Sequence, residues 1–267
     1  MPRYPSTNKL DALRILGQCL FRLDKFKALV KFSVALILPR NPWILVGHAL
    51  RIAWNMLLFR PDNVKHLVNS CVPFVQRNPS INLVDALRIA YGDDYYICKF
   101  QIPGEIEAEL DRMGVENFMK RMLTYRTPGP LFFPNDKGFV GGGSPDPDTR
   151  VDLPSWLNEE DVAYYVSKFE KTGFTGGINY YRALNLTWQL TAAWNGAEAK
   201  IPAKFVIGDL DLVYHMPGIQ DYIHKGGFKS DVPLLKEVVV IKDAAHFINQ
   251  EIPDEINKHI YDFIRQF

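Results

Sequence analysis

Short apolar runs that end in glycine or polar residues occur in two separate blocks of the chain. In the first block, Trp43-Ile44-Leu45-Val46 is too short for a helix and precedes Gly47-His48. The segment up to Phe59 has a helical pattern that Arg60-Pro61-Asp62 stops, and His66 to Val72 has the pattern of a second strand. A strand, a helix and a strand within about thirty residues predict a βαβ unit with parallel strands.

The second block lies in the last quarter of the chain. Phe205 to Ile207 and Val238 to Ile241 are apolar runs that end in polar residues, and Ile256 to Phe263 has the period of an amphipathic helix. Together the two blocks predict four parallel strands, which end near Val46, Val72, Ile207 and Ile241.

The two blocks define a core of residues 41–76 and 196–267. Residues 77–195, rich in aromatic residues, Pro and Gly, are predicted to be helical without strands; one helix begins at 155–161, and 138–148 form a loop. Residues 1–40 are predicted to form a basic helical segment, because Leu10, Leu13, Leu16, Leu20 and Leu23 recur at nearly helical spacing. Such a helix packs on the core more often than it binds a membrane surface or a partner.

Composition narrows the functional classes. Lys and Arg number 31 against 30 Asp and Glu, and a formal charge of +1 argues against a nucleic-acid partner. Cys19, Cys71 and Cys98 lack metal-ligand spacing, and their odd number fits reduced thiols in the cytoplasm. No apolar run is long enough to span a bilayer, and no signal peptide is recognisable, so a cytoplasmic location is expected.

Candidate catalytic residues come directly after the two strands of the second block. Gly208-Asp209-Leu210-Asp211 follows the first strand, and Ala244-Ala245-His246-Phe247 follows the other. An acid and then a histidine, each after a strand, are typical of the second half of a nucleophile–acid–histidine triad. Asp209 or Asp211 could instead be a turn residue, and His246 could be a core histidine, but the ordered pair favours the triad.

These motifs, in this order, resemble the α/β-hydrolase family, and most closely the plant-type soluble epoxide hydrolases. The resemblance covers roughly residues 43–267. Five further segments carry it: Leu58–Asp62, Gly92–Tyr96, Pro103–Glu107, Tyr164–Glu170 and Asn179–Leu184. It implies a truncated α/β-hydrolase fold, with a mostly parallel sheet and with the helical residues 77–195 inserted as a lid.

The resemblance also implies a reaction, in which an epoxide and water give a vicinal diol. In this family an aspartate attacks the epoxide and forms an ester, while two lid tyrosines hydrogen-bond the epoxide oxygen. A histidine, oriented by a second acid, then activates the water that hydrolyses the ester. By position in the motifs, Tyr96 and Tyr181 match the tyrosines, Asp211 matches the orienting acid and His246 matches the base.

Each tyrosine lies beside another tyrosine and could instead be a packing residue. The family chemistry needs side chains and water alone, so neither a metal nor an organic cofactor is expected. The partner that the resemblance implies is an apolar small molecule such as a fatty-acid epoxide.

The nucleophile turn departs from the family pattern. The family has Gly-His-Asp-Trp-Gly, whereas this chain has Gly47-His48-Ala49-Leu50-Arg51 and resumes the resemblance at Ile52. The interval is two residues too short, so the aspartate expected between His48 and Ala49 has no counterpart. The His-Gly-x-Pro loop, which supplies oxyanion donors in the family, is absent from the sequence. Loss of a nucleophile costs a factor of about 10⁶ and loss of one oxyanion donor about 10²–10³, which predicts no useful turnover by this route.

Three hypotheses follow from this pattern. The chain is an epoxide hydrolase homologue by descent, a pseudoenzyme that binds a lipophilic small molecule through Tyr96 and Tyr181, or a truncated or mis-spliced product with no function of its own. A substitute nucleophile such as Ser70 or Cys71 is the weakest idea, because Gly-x-Ser-x-Gly is absent.

Overall fold

The main sheet of the protein is mostly parallel. The computed structural model describes residues 34–37, 43–47, 50–134, 140–141 and 151–267. The strands are β1 (Val34–Ile37), β2 (Trp43–Gly47), β3 (Val64–Ser70), β4 (Leu131–Phe132), β5 (Val140–Gly141), β6 (Ala203–Gly208) and β7 (Leu235–Ile241). The main sheet has the order β1-β2-β3-β6-β7, in which β1 is antiparallel to β2 and the other neighbours are parallel.

The four predicted parallel strands are confirmed, with one shifted end. The third strand in the sheet order, β3, ends at Ser70 and not near Val72. The helical prediction for residues 1–40 is wrong at 34–37, because these residues form β1 and pair with β2. A boundary at residue 40 therefore separates two paired strands, while the rest of 1–40 lies outside the described residues.

Helices cover both faces of the sheet. They are α1 (Leu50–Phe59), α2 (Leu83–Tyr91), α3 (Tyr96–Lys99), α4 (Glu105–Met113), α5 (Val115–Leu123), α6 (Glu159–Thr172), α7 (Thr175–Arg182), α8 (Leu184–Leu190), α9 (Ile219–His224), α10 (Gly227–Asp231), α11 (Ile248–Glu251) and α12 (Pro253–Ile264). Trp54 of α1 packs in one cluster with Phe205 of β6, whereas Phe263 of α12 packs with Val68 of β3. The predicted last helix is thus confirmed as α12. No described helix has the length and apolar character needed to cross a membrane.

Alternation along the strands decides which side chain faces which helix layer. Leu67 of β3 packs in the cluster of α1, and its neighbour Val68 packs against α12, as expected for side chains that alternate across a sheet. Every residue of β6 is buried, because this strand lies between β3 and β7 and is covered on both faces. Its one charged residue, Lys204, pairs across the sheet with Glu237 of β7 at 2.7 Å.

The helical insertion lies between β3 and β6 and contains α2 to α8. The expectation of no strands there is wrong for β4 and β5, which pair with each other. The predicted helix start at 155–161 corresponds to α6, where Asn158 caps the first turn by accepting a hydrogen bond from the Asp161 amide. Of the loop predicted at 138–148, the structure describes only Val140–Gly141, which form β5.

The apolar core of the insertion continues into the sheet domain. Leu212 and Val213, which follow β6, are buried in the same cluster as Tyr96 and Leu110 of the insertion. Phe247, on the segment after β7, packs against that cluster. The insertion therefore lies directly over the carboxyl ends of β6 and β7, where the candidate acid and base were predicted.

Candidate functional site

Asp211 and His246 form a hydrogen-bonded pair at the carboxyl edge of the sheet. They follow the neighbouring parallel strands β6 and β7, whose carboxyl ends meet at the same edge. Nδ1 of His246 lies 3.0 Å from Oδ2 and 3.1 Å from Oδ1 of Asp211. The carboxylate is fully buried, and its Oδ1 also accepts a hydrogen bond from the Val213 amide at 2.7 Å.

Each member of this pair stabilises the charged form of the other. Burial by itself lowers the pKa of His246, but the charge and hydrogen bond of Asp211 outweigh it and raise the pKa above its usual value. Burial likewise acts to raise the pKa of Asp211, but the charge and hydrogen bond of His246, followed by the hydrogen bond from the Val213 amide, outweigh it and lower the pKa. Asp211 thus stays ionised and orients the imidazole.

Gly208 permits the close approach of the two segments that carry the pair. A Cβ atom at this position would lie 2.0 Å from the main-chain oxygen of Ala244, which is far inside contact distance. That same oxygen accepts a hydrogen bond from the Leu210 amide at 3.0 Å. Only glycine lets the chain after β6 make this contact with the chain after β7.

The structure assigns different environments to the two aspartates of the Gly-Asp-x-Asp motif. Oδ1 of Asp209 accepts a hydrogen bond from the Asp243 amide at 2.7 Å and so ties the segment after β6 to the segment after β7. Asp211 contacts the imidazole instead. The contact of Asp209 joins residues 34 positions apart, whereas Asp211 also accepts from the Val213 amide two residues on. The turn role that the sequence left open for either residue therefore belongs to Asp211, together with the contact to the imidazole.

An arginine of the insertion that the sequence did not reveal holds the His246 segment. Arg126 follows α5 and donates through Nη2 to the main-chain oxygen of Asp243 at 2.8 Å and to Oδ1 of Asp243 at 2.9 Å. Its Nη1 pairs with the carboxylate of Glu251, whose Oε2 accepts a hydrogen bond from the Ala245 amide at 2.8 Å. Asp243 has a φ of 56°, a conformation that Asp tolerates better than most residues.

Cys71 lies beside the pair formed by Asp211 and His246. It follows β3 with a φ of 67°, is fully buried, and donates from Sγ to the main-chain oxygen of His246 at 3.1 Å. Burial, and then the charge of Asp211, raises the pKa of the thiol, so it stays protonated. Possible metal-ligating atoms of Cys71, Asp211 and His246 lie within 4.8 Å of one another. A metal ion there would have to replace the hydrogen bond between Asp211 and His246.

Tyr96 of α3 and Tyr181 of α7 face each other within the insertion. Their rings meet edge to face with centroids 5.7 Å apart, and Tyr96 is buried. Burial, then Tyr181, Tyr95 and the Asp211 carboxylate, raise the pKa of Tyr96 well above its usual value. Burial raises the pKa of Tyr181 to about 12. Both hydroxyls are therefore neutral hydrogen-bond donors near pH 7, and Tyr96 is within electrostatic reach of Asp211.

Contacts that the sequence did not predict hold the segments that carry these tyrosines. Nε2 of Gln101 donates to the main-chain oxygens of Ile97, at 2.8 Å, and of Tyr181, at 3.1 Å. The next residue after Tyr181, Arg182, donates to the Phe100 oxygen at 2.9 Å and pairs with Glu107 at 2.7 Å. Gln101 and Arg182 thus fix α7 against the segment that follows Tyr96.

Strand β2, which precedes the position expected for the nucleophile, ends at the same edge of the sheet. Strand β2 ends at Gly47, which pairs with Asn69 of β3, and α1 begins at Leu50. His48 and Ala49, between which the family aspartate was expected, lie outside the described residues. The carboxyl ends of β2, β3, β6 and β7 are all at this edge, because the four strands are parallel.

A mostly parallel sheet, an acid and a histidine after its last two strands, and a helical insertion over that edge define an α/β-hydrolase. No model of a known protein family matches the chain. The chain is 57% identical to epoxide hydrolase 2 of Siraitia grosvenorii over 265 residues, and 28% identical to epoxide hydrolase A of Mycobacterium tuberculosis over 230 residues. The chain belongs to the epoxide hydrolase family.

Solved structures of relatives support the same fold. Potato epoxide hydrolase I superposes with a TM-score of 0.76 at 57% identity, over 81% of this chain and 66% of that one. A laboratory-evolved variant of the potato enzyme gives a TM-score of 0.83 at 48% identity, over 98% of this chain and 80% of that one. These comparisons establish a truncated α/β-hydrolase fold.

The sequence matches also define how much of the family this chain contains. The alignment with the Siraitia enzyme covers 98% of this chain, so the resemblance extends beyond the predicted 43–267. The same alignment covers 78% of the relative's length.

Proposed function

We propose that this protein binds an apolar, epoxide-like small molecule beneath the helical insertion but does not complete the family's hydrolysis. One observation carries the proposal. Residues 25–61, a range that includes β2, α1 and the residues between them, contain neither Asp nor Glu. No side chain there can form the aspartyl ester on which the family reaction depends.

The absence of the ester removes the substrate of the second step. In the family reaction, the histidine activates water to hydrolyse the ester, and Asp211 and His246 would have this role here. A water molecule activated by His246 has no acyl group to attack when the first step does not occur. Ala49, Leu50 and Arg51 offer no carboxylate, and the buried Cys71 thiol stays protonated.

The tyrosine pair supports retained binding. Tyr96 and Tyr181 present neutral hydroxyls near pH 7, and the surrounding cluster includes Phe100, Phe133 and Leu212. Aromatic walls with a few donors suit a lipophilic molecule that carries one acceptor oxygen. A fatty-acid epoxide, with the insertion acting as a lid, fits this description.

Turnover and binding can be measured separately. Purified protein is incubated with styrene oxide, and chromatography measures diol formation. We expect no diol above the uncatalysed background. Diol formation that disappears in His246→Ala would contradict the claim of inactivity.

Binding of styrene oxide is then measured by calorimetry. We expect saturable binding that is lost when Tyr96→Phe and Tyr181→Phe are combined, because the oxygen of the ligand loses both donors. Tyr261→Phe, at an exposed tyrosine of α12, serves as the matched control. Unchanged binding in the double variant would contradict the role of the tyrosines.

A product with no function of its own remains the second candidate, because the chain covers 78% of its relatives' length. Thermal unfolding distinguishes the two candidates. A cooperative transition that moves to higher temperature with the ligand supports binding, whereas a broad transition without any ligand effect supports the truncated product.

We also propose a cytoplasmic location. Cys71 and Cys98 are free and buried, which fits a reducing compartment. Cell fractionation followed by immunodetection measures the location, and recovery in the membrane pellet would contradict it.

A further inference from the structure

A cavity lies at the junction of the sheet domain and the helical insertion. Its volume is about 140 Å³, and α1, the chain after β3, α2 and α8 line it. Neither tyrosine of the candidate site lines it, nor does Asp211 or His246. An apolar cavity of about 150 Å³ is large enough for a benzene ring, so a ligand of that size would fit.

Three tryptophans give the cavity its apolar surface. Trp54 comes from α1, Trp188 from α8, and Trp194 from the short 3-10 helix after α8. Each indole N–H donates to a main-chain oxygen, at distances of 2.7 to 3.2 Å. Since these donors are satisfied within the protein, the rings contribute aromatic surface that suits a planar apolar group.

Arg77 is the charged side chain in this lining. Its Nε donates to the Trp188 oxygen at 2.7 Å, and its Nη1 donates to Oδ1 of Asn195 at 2.7 Å. The guanidinium carbon lies 4.1 Å from the centroid of the Trp188 ring, so the group is stacked and held in place. These contacts position the guanidinium before any ligand arrives.

The charge of Arg77 has no acidic partner within the described parts of the chain. None of the described residues lining the cavity is Asp or Glu, and Nη2 of Arg77 makes no hydrogen bond to any of the described residues. Burial also lowers the pKa of this guanidinium. A partly buried cation whose remaining N–H groups point to no carboxylate is the usual recognition element for an anion.

We propose that this cavity binds a small aromatic carboxylate. The ring of the ligand lies among Trp54, Trp188 and Trp194, and its carboxylate accepts hydrogen bonds from Arg77. The size of the cavity limits the ring to one, and the single uncompensated positive charge selects an anion over a neutral or cationic molecule. This site is separate from the tyrosine and histidine site, and it does not depend on the proposed function.

Benzoate is the probe, and calorimetry on the full chain measures its affinity. We expect saturable binding with a Kd on the order of 1 mM. Benzamide, which has the same shape without the charge, should bind about tenfold more weakly or worse, since the charge-assisted hydrogen bonds are lost. Absence of saturable benzoate binding, or equal affinity for benzamide, overturns the proposal.

Variants locate the bound probe. Arg77→Met should weaken benzoate binding about tenfold or more, and Ala86→Leu should abolish it by filling the cavity. The matched control is Arg60→Met, at an exposed arginine that pairs with Asp62 outside the cavity. If Arg77→Met does not fold, Arg77→Lys is used, which keeps the charge but loses the fork of donors and should still weaken binding.

The two sites can be distinguished by one further comparison. The combined Tyr96→Phe and Tyr181→Phe variant should bind benzoate as the unmodified chain does. Benzoate binding that is lost in this variant but kept in Arg77→Met would place the probe at the other site and overturn the proposal. Failure to bind styrene oxide would bear only on the proposed function.

Discussion

Arg126 donates hydrogen bonds to both the main-chain and the side-chain oxygen of Asp243, three residues before His246. This contact joins the helical insertion to the segment that carries the candidate base. Glu251 adds a second connection, because it pairs with Arg126 and accepts a hydrogen bond from the Ala245 amide. The position of the imidazole therefore depends on the insertion as well as on the sheet.

We expect Arg126→Met to lower the free energy of unfolding by about 2 kcal/mol or more, because it leaves the buried Glu251 carboxylate without its cation. Urea unfolding measures the change. The double variant with Glu251→Gln should recover part of the loss, since the unpaired charge is then removed. Arg60→Met is the control at an exposed arginine. A double variant as unstable as the sum of the single variants would contradict the coupling.

The Asp211–His246 pair should make stability depend on pH. The pKa of His246 is raised from 6.5, so its contribution is complete below pH 6.5 and is lost as the pH rises through the folded pKa. The pKa of Asp211 is lowered from 3.8, so its contribution is complete above pH 3.8 and is lost as the pH falls through the folded pKa. Both groups therefore contribute fully to the stability of the folded protein between pH 3.8 and 6.5.

We therefore expect Asp211→Asn to destabilise the protein more in mildly acidic solution than in alkaline solution. In the variant, burial of His246 without its anion lowers its pKa, so stability falls as the pH drops below 6.5. Urea unfolding on either side of that pH measures the effect. Asp62→Asn, at an exposed aspartate, is the control. An equal loss of stability across the pH range would contradict this prediction.

Gly208→Ala should be costly, because its Cβ would overlap the main-chain oxygen of Ala244. We expect a loss of about 3 kcal/mol in the free energy of unfolding, since a backbone segment has to move. Gly176→Ala in α7 is the matched control, because no atom apart from its chain neighbours and the backbone of its own helix lies within 4 Å of its added Cβ. That control should stabilise by about 0.5–1 kcal/mol, as alanine favours helix. Chemical denaturation measures the free energy of unfolding of both variants. Similar effects of the two substitutions would refute the predicted clash at Gly208.

Gln101→Ala should weaken ligand binding at the tyrosine pair. The Gln101 amide joins the Ile97 and Tyr181 oxygens, so its loss releases α7 from the segment after Tyr96. We expect a cost of about 1–2 kcal/mol in stability and weaker calorimetric binding of styrene oxide. Gln266→Ala removes an exposed glutamine hydrogen bond near the last residue and is the control. Binding that is unaffected by Gln101→Ala would show that the contact does not position the tyrosines.

Parallel strands were predictable from local patterns because both faces of such a sheet are covered. Strand β6, in which every residue is buried, shows this directly. The end of β3 was placed two residues too late, since Cys71 and Val72 continue the apolar run while the left-handed φ of Cys71 ends the strand. Strand β1 was missed, because four apolar residues are ambiguous until they pair with β2.

The sequence by itself determined the family, the order of acid and histidine, and the absence of a carboxylate from 25–61, because these are properties of residue identity and order. Tertiary structure decided which residues hold the site together. The contact from Arg126 to Asp243 joins residues 117 positions apart, and that from Gln101 to Tyr181 joins residues 80 positions apart. No local pattern encodes such contacts, since they arise only when the insertion packs over the sheet edge. The same packing brings Arg77 into contact with Trp188, 111 positions further along the chain, and forms the cavity that both residues line.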